Sequence, residues 1–299
     1  MRITDNMVTA SLVNQIQQLD SQQSSLQSEV SSGLSVTQPS DNPAVYGQVI
    51  ELEGQNSQDA QYAANASQAL SVVQSSYSGL STLQQIYDRA TELGALAGNG
   101  TNNTGDVQSY ATELNQLIQQ AVGVANSQYN GSYLYAGTAV TTQPFTTTTD
   151  GSGNIASVTY VGNSGQSMIP LSQTSNVSAT TSGTTNQGIA TMITNMIALS
   201  AAMQSGDASA VNTAASNLEP SDNVLTAAVA ENGAVEARIQ SDQTQLQSMS
   251  TQISTEISND TSADLPSTIV KLNQTQLAYQ AALETASKVM QLSLVDYIQ

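Results

Sequence analysis

The 299-residue chain has no cysteine, no histidine, no tryptophan and a single phenylalanine. Without cysteine there is no disulfide framework, thiol nucleophile or cysteine-based zinc site, and without histidine the usual general base and the commonest metal ligand are missing too. Positive charge is equally scarce: 5 Lys and Arg stand against 23 Asp and Glu, a net charge of -18. Such a balance repels phosphate backbones and anionic membrane surfaces. No cofactor, no metal, no nucleic-acid partner and no enzymatic activity are therefore expected. The first thirty residues lack the apolar core of a signal peptide, and no run approaches the roughly 18 apolar residues of a membrane span. Membrane insertion is not expected, and any export is expected to proceed without signal cleavage.

What remains is a polar chain, rich in Ser, Thr, Gln and Asn, whose 39% hydrophobic residues follow helical spacing. Its length allows one large domain or two to three small ones. The negative charge sits mostly in the middle. Residues 1–40 carry Arg2 against Asp5, Asp20 and Glu29, and residues 265–299 balance Lys271 and Lys288 against Glu284 and Asp296.

Leu12, Ile16, Leu19, Gln23, Leu26 and Val30 recur in alternating steps of four and three, a narrow stripe that wants another helix beside it. Gly33 supplies a stop. Asn42-Pro43 supplies a restart, because proline at the first helical position loses no needed N–H and drives the residue before it extended, as a cap requires. Gly33, Pro39, Asn42 and Pro43 thus read as a hinge. A long helix is expected from Pro43 to about Gly98 through Val49, Leu52, Ala63, Ala66, Leu70, Val73, Tyr77, Leu80 and Tyr87. A second, antiparallel to it, is expected through Val107, Tyr110, Leu114, Leu117, Ala121, Val124 and Gln128, closed by Asn130-Gly131. Between 132 and 185 short Thr/Val/Tyr/Ile pieces separated by Gly-rich turns predict β-hairpins. Helical spacing returns near Gly188 and again from about Ala208 to Ile257.

The last segment mirrors the first. Leu265, Ile269, Leu272, Gln276, Tyr279, Leu283, Ala286, Met290, Ser293 and Tyr297 keep the same alternation behind Asp264 and Pro266. The expected fold is mainly α: a long antiparallel helical bundle with paired N- and C-terminal coiled-coil helices and a small β-rich insertion. The expected domains are a terminal coiled-coil unit (1–40 and 265–299), a central helical bundle (41–131 and 186–264) and an outer β insertion (132–185).

The terminal stripes have two readings, ordinary bundle core or an interface for self-association. Core is the commoner fate of an amphipathic helix, but the hinge and the scarcity of large aromatic anchors favour the interface, with Leu12, Ile16, Leu19, Leu26, Val30, Ile269, Leu272, Tyr279, Leu283 and Met290 as its residues. The Gly-rich pieces lack the lysine and the strand-glycine-helix context of a phosphate cradle and read as turns. Asp150-Gly151 lacks the further carboxylates of a calcium cage, and Glu51 and Glu53 lie on different helix faces, which leaves no acid/base pair.

Several stretches together carry a resemblance: MRIT at the start, SSG at 31–33 followed by PSDNPA at 39–44, GSYLYAGT at 131–138 with Pro144-Phe145, and LAYQAALETASKVMQLSLVDYI at 277–298. The chain resembles the bacterial flagellin and hook-associated family. It departs from that family's basic pair after SSG, having Leu34-Ser35, and from its Asn-Arg-Leu-Glu run, having Ala237-Arg238-Ile239-Gln240. The resemblance implies a structural subunit exported through the flagellar type III apparatus to the extracellular flagellum. Its terminal helices would polymerise with copies of itself, with a neighbouring hook-associated protein and with flagellin. A cytoplasmic export chaperone would cover the C-terminal helix beforehand. MRIT, the YLYAGT…PF segment and the SLVDYI ending point to members that join hook to filament; a filament-forming flagellin and a secreted adhesin or translocator are the alternatives.

Overall fold

The computed structural model describes residues 2–99 and 103–298, with side-chain surroundings for 7–99 and 103–289. Its elements run α1 (Arg2–Ser32), α2 (Pro43–Ala97), α3 (Thr104–Ala125), β1 (Gln128–Tyr129), β2 (Ser132–Tyr133), β3 (Phe145–Thr149), β4 (Ile155–Tyr160), β5 (Met168–Pro170), β6 (Asn176–Ser178), α4 (Gly183–Ser205), α5 (Ala208–Leu218), α6 (Pro220–Thr261) and α7 (Leu265–Ile298). The fold is mainly α with a small antiparallel β insertion, as the periodicity implies. Two compact units divide the chain, one of residues up to Ser57 with those from Met249 onward, the other Gln58–Ser248. The boundaries of these two units fall inside α2 and α6.

In the Gln58–Ser248 unit, α2 buries Ala66, Ala69, Val73, Ser76, Leu80, Leu83, Tyr87, Ala90, Gly94 and Ala97, steps of three and four that make one stripe. Against the stripe's C-terminal half pack Leu114, Ile118 and Ala121 of α3, Ile189, Met192, Ile193, Met196 and Leu199 of α4, Val211 and Leu218 of α5, and Leu225 of α6. Each large side chain buried there is worth roughly 1.5–3 kcal/mol. Arg89 ties α2 to α3 through paired contacts with Glu113 at 2.7 and 3.1 Å. A smaller cluster seats Leu171, Val177 and Ala179 of the β5–β6 region on Ala66, Ala69, Val73 and Ile239.

The helix ends follow local chemistry. The side chains of Asn103, Ser182 and Asp207 accept backbone N–H groups at the starts of α3, α4 and α5, and Gly206 closes α4 at φ 72°, the left-handed turn that glycine adopts without strain.

Several expectations shift. α3 ends at Ala125 with Asn126 as its cap, so Gln128 belongs to β1, and the β region begins there and not at 132. Asn130 (φ 49°) and Gly131 (φ 80°) are the two centre residues between the pairs Gln128–Tyr133 and Tyr129–Ser132, the geometry of a type I′ hairpin turn and not of a helix stop. The run expected from 208 to 257 breaks after Leu218, where Pro220 opens α6, since proline fits a first turn and breaks a helix interior. α4 starts at Gly183, five residues before Gly188. On α2, Tyr77 is exposed and Ser76 takes the buried position, because the carbonyl oxygen of Ser76 receives the Tyr135 hydroxyl at 2.9 Å.

Candidate assembly surface

Within the other unit, α1 and α7 lie side by side and antiparallel. On α1 the expected stripe is the shielded face: Leu26 is buried, and Leu12, Ile16, Leu19, Gln23 and Val30 are half-buried between exposed neighbours. On α7 the shielded face is Thr268, Leu272, Thr275, Tyr279, Ala282, Ala286 and Val289, again in steps of four and three. The buried hydroxyls are satisfied. Thr268 donates to the Glu29 carboxylate at 2.9 Å and Thr275 donates to the Lys271 carbonyl at 2.9 Å, so neither leaves an orphaned polar group.

This places the expected α7 residues on two faces. Leu272 and Tyr279 belong to the shielded face, while Ile269 (44% exposed) and Leu283 (44%) turn away from it. With them on the open side stand Leu265 (40%), Val270 (54%) and Leu277 (67%). The shielded register is offset by one residue from the expected one at Thr268, Thr275 and Ala282, where small or hydroxylated residues take the positions nearest α1 and admit a close approach. Met290 lies outside the described side chains. On α1, Met7, Val8 and Val13 are likewise open. The helix pair thus leaves several large apolar side chains exposed on each helix.

The linkers are built as the hinge residues suggest. Gly33 adopts φ 73° and donates its N–H to the Glu29 carbonyl at 2.9 Å, which stops α1 as a left-handed C-terminal residue does. Asn42 caps α2 by accepting the Val45 N–H at 3.3 Å, with Pro43 next in the first helical position. Pro39 is exposed in the loop between them. That loop is organised by Asp41, whose carboxylate accepts the N–H groups of Thr37 and Gln38 at 2.9 Å each. The Thr37 bond, then the Gln38 bond, hold the Asp41 carboxyl below its ordinary range, because both favour the charged form.

The 33–35 segment also meets the α6–α7 linker. Ala263 donates to the Gly33 carbonyl at 2.9 Å, and Ser35 donates to the Thr261 carbonyl at 2.6 Å, which makes Leu34 and Ser262 an antiparallel bridge pair. Sequence reasoning missed this contact, and also missed Glu29, Thr268, Thr275, Val270 and Leu277. The second Thr/Ala heptad behind the aliphatic one was the available signal.

Residues 3–140 match the family model described as the bacterial flagellin N-terminal helical region. Over that stretch the chain is similar to the bacterial flagellin family. It is 33% identical over 171 residues to flagellar hook-associated protein 3 of Salmonella typhimurium, covering 56% of this chain and 54% of that one. It is 33% identical over 118 residues to flagellar hook-associated protein 3 of Escherichia coli, covering 39% and 37% respectively. The chain thus spans about half, or less, of the length of these curated flagellin-family relatives. In fold it is similar to the crystal structure of Bacillus cereus FlgL, with a TM-score of 0.60 and 19% identity over 70% of this chain and 99% of that one. Among the described residues no helix is long and apolar enough to cross a membrane, and no group of three or more potential ligands could hold a metal ion.

Proposed function

We propose that this chain is a structural subunit of the flagellin family that joins hook to filament and assembles through α1 and α7. The observation that carries this proposal is the incomplete burial of the terminal pair. One face of each helix is satisfied by the other, while Met7, Val8, Val13, Leu265, Ile269, Val270, Leu277 and Leu283 stay open, a surface suited to copies of the same chain and to the neighbouring hook-associated protein and flagellin. The interface comprises the stripe Leu12, Ile16, Leu19, Leu26, Val30, Leu272, Tyr279 and Met290 with the outward Ile269 and Leu283.

The protein acts at the extracellular flagellum after export without signal cleavage, and a cytoplasmic chaperone shields α7 before export. It has no enzymatic activity, in keeping with a chain free of histidine and cysteine. The terminal helices form a polymerisation domain, the middle helices a supporting bundle, and the 132–185 region an outward face.

The test is electron microscopy of hook fragments mixed with purified protein and then flagellin. Hook ends that bear the protein and support filament growth are the expected result. Hook ends that stay bare while the protein is folded would overturn the reading.

A further inference from the structure

We propose that Leu34-Ser35 and Thr261–Ala263 form a clasp that couples the two interhelical linkers, so that α1 and α7 pivot as one body, with Ser35 as its positioning residue. The linkers are separated by more than two hundred residues of chain, yet they meet through a short antiparallel ladder. The Ala263 N–H donates to the Gly33 carbonyl at 2.9 Å and the Ser35 N–H to the Thr261 carbonyl at 2.6 Å. The Ser35 hydroxyl donates to the same Thr261 oxygen at 3.0 Å. Leu34 and Ser262 are the directly opposed pair between these bonds.

Three features make the clasp more than a chance approach. Thr261 is buried, and its carbonyl, at the end of α6 with no helical N–H ahead of it, takes both Ser35 donors in place of water. Gly33 sits at φ 73° with open space around it, so its backbone turn is what aims its carbonyl at Ala263. The Glu29 carboxylate, one turn earlier on α1, accepts the Thr268 hydroxyl at 2.9 Å, one turn into α7, continuing the same junction. Linkers bonded to each other cannot swing separately, so a bend between α1 and α2 is also a bend between α6 and α7.

The chain's lack of cysteine permits a direct test in the full-length protein. Leu34 and Ser262 are a non-hydrogen-bonded pair, the closest kind in an antiparallel ladder and within the reach of a disulfide. Leu34→Cys with Ser262→Cys is expected to form an intramolecular disulfide under mild oxidation, and Gln38→Cys with Ser262→Cys is not. Hydrogen exchange supplies an independent reading: Ser35→Pro, which removes the N–H donor, speeds exchange at Ala263 by about tenfold, the effect of losing one hydrogen bond of typical net strength. Ser35→Ala, which keeps the N–H, gives a smaller change. Failure of the 34–262 pair to cross-link, or an Ala263 amide exchanging freely in the unaltered protein, overturns the clasp.

The coupled pivot, which rests on the assembly role proposed above, predicts that the oxidised 34–262 protein adds to hook ends as well as the reduced one. Loss of addition on oxidation, restored by reduction, would mean that the linkers part during assembly and would overturn the one-body pivot. Absence of addition in both forms counts against the assembly role alone, since the cross-link and the exchange rates still report the clasp.

Discussion

The Tyr135 hydroxyl donates to the Ser76 carbonyl oxygen at 2.9 Å across the bare backbone of Gly79, where an added Cβ would overlap that same hydroxyl. Tyr135 is fully buried. One aromatic residue of the GSYLYAGT stretch therefore anchors the segment after β2 onto α2, and a glycine inside a long helix is the condition for it.

Gly79→Ala tests this relationship. On helix propensity alone the change would stabilise by about 0.8–1 kcal/mol, but the overlap with Tyr135 turns it into overpacking, which typically costs about 1–3 kcal/mol. Net destabilisation is expected in chemical denaturation. Tyr135→Phe costs about 0.5–1.5 kcal/mol for the lost hydrogen bond, and in the double variant the two costs fall short of additivity because the phenyl ring lacks the overlapping oxygen. Strictly additive effects would show that the two positions do not communicate.

Burial of Tyr135 pushes its phenol above the ordinary tyrosine range, because the charged form is disfavoured away from water. The neutral form is the one the fold prefers, so its stabilising contribution is complete below the unfolded value near 10 and is lost as pH rises above it. The unfolded state then binds fewer protons than the native one, and stability falls by about 1.4 kcal/mol per pH unit for one such group. Burial also raises Tyr87 and Tyr160, so Tyr135→Phe is expected to reduce the alkaline slope of the denaturation midpoint without removing it. An unchanged slope would mean that Tyr135 does not hold its proton in the fold.

Gly33 has no neighbour within 4 Å of a would-be Cβ, so Gly33→Ala isolates the backbone cost of a left-handed residue. About 1–2 kcal/mol is expected, read as faster amide exchange in the last turn of α1 and at Ala263. Gly33→Asn, which tolerates that conformation better, recovers part of the loss.

The limits of the sequence reading lie in particular residues. α2 was legible from Pro43 to its end because a proline opens it and a 3–4 stripe continues through it. The terminal pairing was legible because both stripes are narrow. The α7 register was not, because the residues nearest α1 are Thr268, Thr275 and Ala282, which carry little hydrophobic signal, while Ile269, Leu277 and Leu283 carry much and face outward. Hydrophobicity marks a residue that gains from burial, and it does not say which surface buries it. The Asn130-Gly131 turn was misread for a related reason: the same dipeptide ends helices and closes hairpins, and only the pairing of Gln128 with Tyr133 separates the two. Nothing in the spacing foretold that Ser35 would reach Thr261, since a contact between two loops has no period.

The two faces of α7 make separable predictions. Leu272 is half-buried toward α1, so Leu272→Asp places a charge in the intramolecular seam. It is expected to loosen the helix pair within the single molecule, lowering the helical circular-dichroism signal and abolishing addition to hook ends. Leu277 is 67% exposed and Leu283 is 44% exposed, so Leu277→Asp and Leu283→Asp remove little that the isolated chain has buried. Both are expected to leave its circular dichroism and thermal midpoint nearly unchanged, as surface substitutions usually stay within about 0.5 kcal/mol. In the assembly each would strand a carboxylate in a desolvated contact, a cost of several kcal/mol, and addition to hook ends should fall by orders of magnitude. The central helices, whose core lies in the Gln58–Ser248 unit, stay folded in all three variants. Wild-type assembly by the Leu277 and Leu283 variants would show that both positions are solvent-facing in the polymer as well, leaving the intramolecular seam as the apolar contact of α7 that assembly needs.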